Sequence, residues 1–490
     1  MRITIITSAL LFFSTAVFSQ NISGNWEGVL QIQGTEMPII FHLSQDGTGK
    51  YIATFDSPKQ KAFNLACSDV IIKEDSVVIM MQLINGKYSG KLSNDHVQLT
   101  GNWIQGNGSM PLTLVKTSNV ATSNQIKRPQ TPKPPFPYRS EEVDYYNTDK
   151  SIHFAATFTV PLPDPNVDYF RAPVYPVVIL ITGSGPQDRD ETILGHKPFA
   201  VIADHLTRQG IAVLRVDERG MGKTTGNFSK ATTGDFANDV EAGIEYLKNR
   251  LDVDTNSIGL IGHSEGGLIA PMVASKRKDI AFIILLAGPG INIMDMMTQQ
   301  SADIMASAGI SASDIEQYRP LYKNMVTAVI NAKDSAEASQ KAISVFKKWQ
   351  NGKTASTIKN TTGVETEIDI IAFTNAFIRD LSGPWFLYFL KLNPYDYLSK
   401  TSCPVLALNG EKDIQVAAKP NLAGIENALK KNKQVTTREM PGLNHLFQHC
   451  KTCMIEEYGE LEESFDPETL VIISDWIKTG RFKIIKTPGR

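Results

Sequence analysis

Ile258-Gly259-Leu260-Ile261-Gly262-His263-Ser264-Glu265-Gly266-Gly267-Leu268-Ile269-Ala270 is the stretch whose reading decides the fold. An apolar run enters a G-x-S-x-G pattern and leaves it through a helix-like segment that continues to Ser275. Where a strand turns abruptly into a helix, the serine hydroxyl is held exposed on a strained turn, and the two glycines make room for close backbone approach. The pattern reads as a nucleophile elbow centred on Ser264. Short motifs of this kind also recur as inert glycine-rich turns, so the flanking sequence has to decide.

Outward from that turn, buried β-branched runs recur at Val177 to Ile181, Ile211 to Val216, Ile280 to Leu286 and Val405 to Leu408. Amphipathic stretches lie between them, at about 197–209 and 235–249, and Glu141 to Asn147 with Ile152 to Val160 read as an opening antiparallel pair. Continuous apolar strands separated by helices predict an α/β fold, a mostly parallel sheet covered on both faces. Between Gly290 and about Lys391 no core strand is expected, only Met-rich, Ala-rich and mixed-charge helical segments that end in Pro384-Trp385-Phe386-Leu387-Tyr388-Phe389-Leu390. This insertion, at about 291–391, predicts a helical cap over the strand ends, where such sheets bind ligands. Met294, Met296, Met297 and the Trp385 run serve equally as an apolar substrate wall or as packing of cap onto body.

The N-terminal part differs in character. Residues 1–19 carry Arg2, an apolar run from Ile3 to Phe13 and small residues before a cut at about Gln20, the layout of a secretory signal peptide. That apolar run is shorter than the roughly 20 residues of a spanning helix, and no other stretch is long and apolar enough to cross a bilayer. A secreted or periplasmic location follows as an expectation. Residues 20–116 alternate with period two between turns, with Trp26, Gly28, Leu30 and Ile32 on one face and Val97, Leu99 and Trp103 on another. This predicts a small antiparallel β-barrel or sandwich whose ligand, if it has one, is not legible. Trp26 and Trp103 fit its core better than a ligand mouth. Residues 117–137, with Thr131-Pro132-Lys133-Pro134-Pro135-Phe136-Pro137, form a stiff linker, and 138–490 the second domain.

A serine at neutral pH needs a histidine base, a carboxylate to orient it and N–H donors for the oxyanion. In this architecture the acid follows a later strand and the histidine the last one. Val405-Leu406-Ala407-Leu408-Asn409-Gly410-Glu411-Lys412-Asp413 supplies Asp413, with Glu411 as the less favoured acid; Val435 to Met440 followed by Pro441-Gly442-Leu443-Asn444-His445 supplies His445, with His449 as its rival. His263, the variable residue of the elbow, is expected to point away from any base position. The oxyanion donors are expected to be the backbone N–H of Glu265 and an N–H from Thr182-Gly183-Ser184-Gly185-Pro186, that of Ser184 with Gly185 close behind.

With these motifs in hand, the chain resembles α/β-hydrolases of the secreted bacterial carboxylesterase type with a small β-domain ahead of the catalytic domain. The resemblance spans most of Glu141 to Lys478 and is carried by Thr182-Gly183-Ser184-Gly185-Pro186, Asp217-Glu218-Arg219-Gly220-Met221-Gly222, the elbow, Leu408 to Asp413 and Leu443-Asn444-His445-Leu446-Phe447-Gln448. Thr182 departs from it, standing where many relatives carry histidine. Cys450 and Cys453 lie outside the shared pattern and inherit no role from it.

The resemblance implies hydrolysis of small-molecule carboxylic esters, with small or apolar acyl groups, through an acyl-enzyme on Ser264. A peptidase or thioesterase of the same fold, or a binding protein without turnover, are the alternatives. A formal net charge of −2 and no basic stripe argue against a nucleic-acid partner. Gly222-Lys223-Thr224 lacks the earlier glycine of a phosphate-binding loop, Asp217 standing there, and no cofactor or metal is expected. The four cysteines are too few for a disulfide framework. Cys450 and Cys453 suit a small disulfide loop, with Cys67 and Cys403 as buried free thiols; a zinc site of His445, His449, Cys450 and Cys453 is the lesser reading.

Overall fold

Alternating side chains in the first unit build a meander of nine antiparallel strands, β1 Gly24–Ile32, β2 Thr35–Gln45, β3 Tyr51–Ser57, β4 Ala62–Ala66, β5 Asp69–Lys73, β6 Ser76–Met81, β7 Gly86–Leu92, β8 Gln98–Gln105 and β9 Gly108–Thr117. The computed structural model describes residues 22–32, 35–46, 49–60, 62–81, 84, 86–105, 108–117, 127–166 and 172–479. The expected signal segment and residues 118–126 of the expected linker lie outside these. The sheet order is β4-β3-β2-β1-β9-β8-β7-β6-β5, so the first strand pairs with the last. At the open edges of this order β5 comes back against β3, which nearly closes the sheet into a barrel.

The interior of this barrel is apolar and aromatic. Trp26, Phe41, Phe55, Tyr88, Leu99 and Trp103 are all buried, with Trp103 edge-on to Phe55 at 6.0 Å. The repeated Gly-Asn-Trp places Trp26 on β1 and Trp103 on β8, the two strands that flank β9. Val97 departs from the expected face: it precedes β8 and is exposed. The chain divides into two compact units between Gln125 and Ile126.

The second unit is built on strands β10 Tyr138–Tyr146, β11 His153–Pro161, β12 Tyr175–Ile181, β13 Ala212–Val216, β14 Val253–His263, β15 Phe282–Leu286, β16 Val405–Gly410 and β17 Val435–Met440. Their order is β10-β11-β13-β12-β14-β15-β16-β17, antiparallel at the first two pairings and parallel thereafter. This is a mostly parallel sheet with an antiparallel start, as the buried runs predict. β14 starts earlier than its apolar run because Val253 already pairs with Tyr175, ahead of a register shift to Val177.

Helices cover both faces, and the alternation within a strand records it. Val178 and Leu180 of β12 pack with α1 Pro198–Arg208, while Val177, Ile179 and Ile181 pack with α2 Thr233–Lys248 and α3 Gly266–Ala274. The chain moves from β12 to β13 on one side and then to β14 on the other. That reversal opens a crevice at the carboxyl ends of β12 and β14, and Ser264 follows β14 there.

Between β15 and β16 the chain forms only helices among the described residues: α4 Ile293–Ser307, α5 Ala312–Ile330, α6 Ser335–Gln350, α7 Ala355–Thr362, α8 Glu367–Leu381, α9 Pro384–Phe389 and the short α10 Tyr395–Leu398. Each of α4 to α8 starts at a side-chain cap, from Asn292, Ser311, Asp334, Thr354 and Thr366 respectively, which satisfies an otherwise orphaned N–H. The unit ends with α11 Ala418–Ala428 against β16 and β17, and α12 Pro467–Thr479 beside α1. No described helix is long and apolar enough to cross a membrane.

The proline-rich segment is fastened to this unit. Arg128 donates to the carbonyls of Leu461 at 2.5 Å, Gly459 at 2.7 Å and Leu194 at 3.1 Å, and Gln130 bonds both Ser464 and Phe465. An alanine at position 128 strands those carbonyls. Arg128→Ala should lower the unfolding free energy by about 2–3 kcal/mol, read by chemical denaturation, because charge-assisted bonds are lost and buried acceptors left unpaired.

Candidate active site

Ser264 sits in the left-handed region at φ +50, a conformation that a β-carbon makes costly and that the surrounding backbone must impose. Its N–H donates to Leu286 O at 2.8 Å and its carbonyl accepts from Gly267 N at 2.9 Å, so both sides of the turn are pinned. The glycines are required by space: a Cβ on Gly262 would lie 2.0 Å from Gly266 O, and one on Gly266 2.1 Å from Ile181 O. The serine itself remains partly exposed.

Asp413 and His445 are brought together. Both are buried, and His445 Nδ1 lies 2.7 Å from Asp413 Oδ2. The carboxylate is held in place by N–H donors from Gln415 at 2.8 Å and Val416 at 2.9 Å on Oδ1, and by Asn409 Nδ2 at 3.3 Å on Oδ2. Because Asp413 can only accept, His445 Nδ1 carries the proton and Nε2 is the ring nitrogen left to act as a base.

The rivals go elsewhere. Glu411 is exposed, accepts from Gly442 N at 3.0 Å and pairs with Lys412. His449 is exposed and paired with Glu463 at 3.0 Å. The zinc reading is overturned, since Cys450 and Cys453 are bonded to each other. Cys67 and Cys403 are free and partly buried, which pushes each thiol up to about 12. His449, Glu463 and Asp466 do offer three metal-type atoms within 4.8 Å. Yet Asp466 already accepts from Thr469 N at 2.7 Å, capping α12, and Glu463 accepts from His449 N at 2.7 Å.

His263 does not point idly away. Its ring lies 4.9 Å from that of His445, with Nε2 3.0 Å from the His445 carbonyl and Nδ1 2.9 Å from Glu191 Oε1. The same Glu191 oxygen accepts from Gly183 N at 2.6 Å. Burial opposes a charge on His263, but the Glu191 carboxylate and the His445 carbonyl outweigh it and hold its protonation range above the ordinary one. Glu191 escaped the sequence reading because nothing in Asp188-Arg189-Asp190-Glu191 marks which carboxylate turns inward.

The loop after β12 is tied to the loop after β13. Thr182 Oγ1 donates to Glu218 Oε1 at 2.5 Å and Gln187 N to Glu218 Oε2 at 3.1 Å, so Thr182 has a partner of its own in place of the histidine of relatives. Desolvation raises the Glu218 carboxyl well above its usual range. Arg189 in turn forks onto Asp217 through Nε at 3.0 Å and Nη2 at 2.7 Å. Ser184 is exposed at the tip, directly after Gly183, whose Cβ would lie 3.2 Å from Ser264 Cβ. Among the described residues, no acceptor engages the backbone N–H of Ser184 or of Glu265.

The Glu265 side chain is buried, and both its oxygens accept from Trp385 Nε1 on α9, at 2.8 and 3.0 Å. Trp385 stacks on Phe389 at 5.1 Å. The helical insertion is thus bonded directly to the residue after Ser264, a contact no sequence pattern announces.

A family described as serine aminopeptidase, S33, matches residues 197–351. Esterase EstD of Thermotoga maritima is 32% identical over 143 residues, which make up 29% of this chain and 34% of that protein, so the match spans about a third of the relative's length. Among solved structures, a Pyrococcus furiosus esterase, Pf2001, aligns over 72% of this chain and 98% of its own at 16% identity and TM-score 0.40. Est1E from Butyrivibrio proteoclasticus, with ferulic acid bound, aligns over 70% and 99% at 17% identity and TM-score 0.37.

Burial raises the Glu265 carboxyl from 4.5 to about 7, against the pull of the Trp385 N–H. The folded chain keeps a proton there that the unfolded chain has released, so this group's contribution to stability declines as pH rises from about 4.5 through about 7. Glu265→Gln removes the decline. Measured by denaturation at pH 5 and pH 8, the variant's stability relative to wild type should improve by up to about 3 kcal/mol at the higher pH.

Proposed function

We propose that this α/β-hydrolase cleaves carboxylic esters through an acyl-enzyme on Ser264. The observation that carries the reading is the buried Asp413–His445 pair, its imidazole packed against the residue that precedes a serine held at φ +50. His445 Nε2 takes the Ser264 proton as Oγ attacks the acyl carbonyl; Asp413 keeps the tautomer and stabilises the imidazolium. The Ser184 and Glu265 amides hold the tetrahedral oxyanion. His445 then protonates the leaving alcohol, and a water deprotonated by the same nitrogen releases the acid.

The match to Esterase EstD supports the ester preference. Trp385 and Phe389, fastened beside the serine through Glu265, supply an apolar wall suited to small or apolar acyl groups. Amide cleavage is the second reading, favoured by the aminopeptidase description of the matching family. The Cys450–Cys453 bond fits a secreted or periplasmic protein exported on residues 1–19.

Hydrolysis of p-nitrophenyl esters of increasing acyl length, set against aminoacyl-anilides, separates the two readings. Short-chain esters should be turned over faster than matched anilides, and Ser264→Ala should lower kcat/KM on them by about 10⁴-fold or more. Faster anilide turnover would favour the peptidase, and undiminished ester turnover by Ser264→Ala would exclude the mechanism.

A further inference from the structure

We propose that Glu191 and His263 form a second carboxylate–imidazole pair that positions His445 against Ser264. The proposal rests on the esterase mechanism above. It makes both residues positioning residues, which touch no reacting atom.

The argument begins with what each ring nitrogen faces. His263 Nε2 meets the His445 carbonyl, which can only accept. Nδ1 meets Glu191 Oε1, an oxygen of a carboxylate, which also only accepts and takes the Gly183 N–H as well. A neutral imidazole has one donor and cannot satisfy both. His263 is consequently an imidazolium, buried and neutralised by Glu191, which is the condition under which an interior charge is tolerated.

Three segments meet at this pair. Glu191 holds the loop after β12 through Gly183 N, whose Cβ position touches Ser264; His263 belongs to the elbow; and the His445 carbonyl belongs to the loop after β17. The Asp413 contact fixes one side of the His445 ring, and the His263 contact fixes its backbone. Together they leave the base little freedom to drift from the nucleophile. A misplacement of about 1 Å at such a point costs on the order of 100-fold in rate.

The pair also sets the charge around the base. The groups facing this corner are Asp413 after β16, Glu191 after β12, Glu218 after β13 with Glu265 beside it, Tyr458 in the turn 455–460, and Asp303 on α4, which interacts with Asp413. His263 is the cation among them, with its ring 4.9 Å from that of His445, and it disfavours a second positive charge there. A role confined to folding would not reach the pH dependence of the reaction.

The test compares Glu191→Gln and His263→Gln with wild type on a short-chain ester. Glu191→Gln should lower kcat about tenfold with KM within about twofold, and move the acid limb of kcat/KM up by about half a pH unit. His263→Gln should lower kcat further. In the wild-type chain labelled with 15N-histidine and with its ring signals assigned, the His263 ring should hold both protons at pH 8, where exposed histidines have released one; this reading stands even if a variant fails to fold. Folded variants with wild-type kcat and an unmoved acid limb, or a wild-type spectrum in which the His263 ring holds a single proton at pH 8, would overturn the proposal. Failure of the esterase mechanism is recognised separately, by ester turnover that survives Ser264→Ala.

Discussion

The backbone turn at Ser264 is the constraint on which the rest of the second unit depends. A residue with a β-carbon at φ +50 persists only where its surroundings over-determine it, and here β15 pins the N–H while α3 pins the carbonyl. The turn in turn demands that Gly262 and Gly266 approach neighbouring backbone more closely than any side chain would allow. Sheet order then decides what stands around it. The reversal at β12 brings the loop that follows that strand to one side of the serine, and the carboxyl ends of β16 and β17 deliver Asp413 and His445 to the other.

Buried carboxylates organise the surroundings, each in a different electrostatic condition. Asp413 is held by backbone amides and the imidazole, Glu191 by an imidazole and the Gly183 N–H, and Glu265 by a single indole N–H. Glu218, with a hydroxyl and one amide, is pushed by desolvation toward its neutral form. For Glu218 and Glu265 the environment, more than the residue type, raises the carboxyl toward its neutral form. Only Asp413 lies on the imidazole of His445, and the others brace the loops on which the serine, the base and the proposed oxyanion donors sit.

Much of this was legible in the chain. Buried β-branched runs gave the parallel strands, since a strand covered on both faces has little use for polar residues. Strand ends also pointed to Ser264, Asp413 and His445, which lie at the carboxyl edge of one sheet where the proposed chemistry needs them. What escaped was the inward turn of polar side chains whose partners are distant in sequence. Glu191 and His263 are 72 positions apart and Glu265 and Trp385 120, and no local periodicity encodes such pairings. The start of β14 escaped for a related reason: Val253 pairs with Tyr175 across a register shift, ahead of any apolar run. Val97 failed as a core residue because period two continues past a strand's end on paper but not in the sheet.

The central claim is that Ser264 is the nucleophile. It is tested most directly by treating the protein with a fluorophosphonate and locating the adduct by peptide mass spectrometry. The account predicts one adduct per chain, on Ser264, formed with loss of ester turnover and slowed sharply by His445→Ala. An adduct on another residue, or full turnover after Ser264 has been modified, would contradict it.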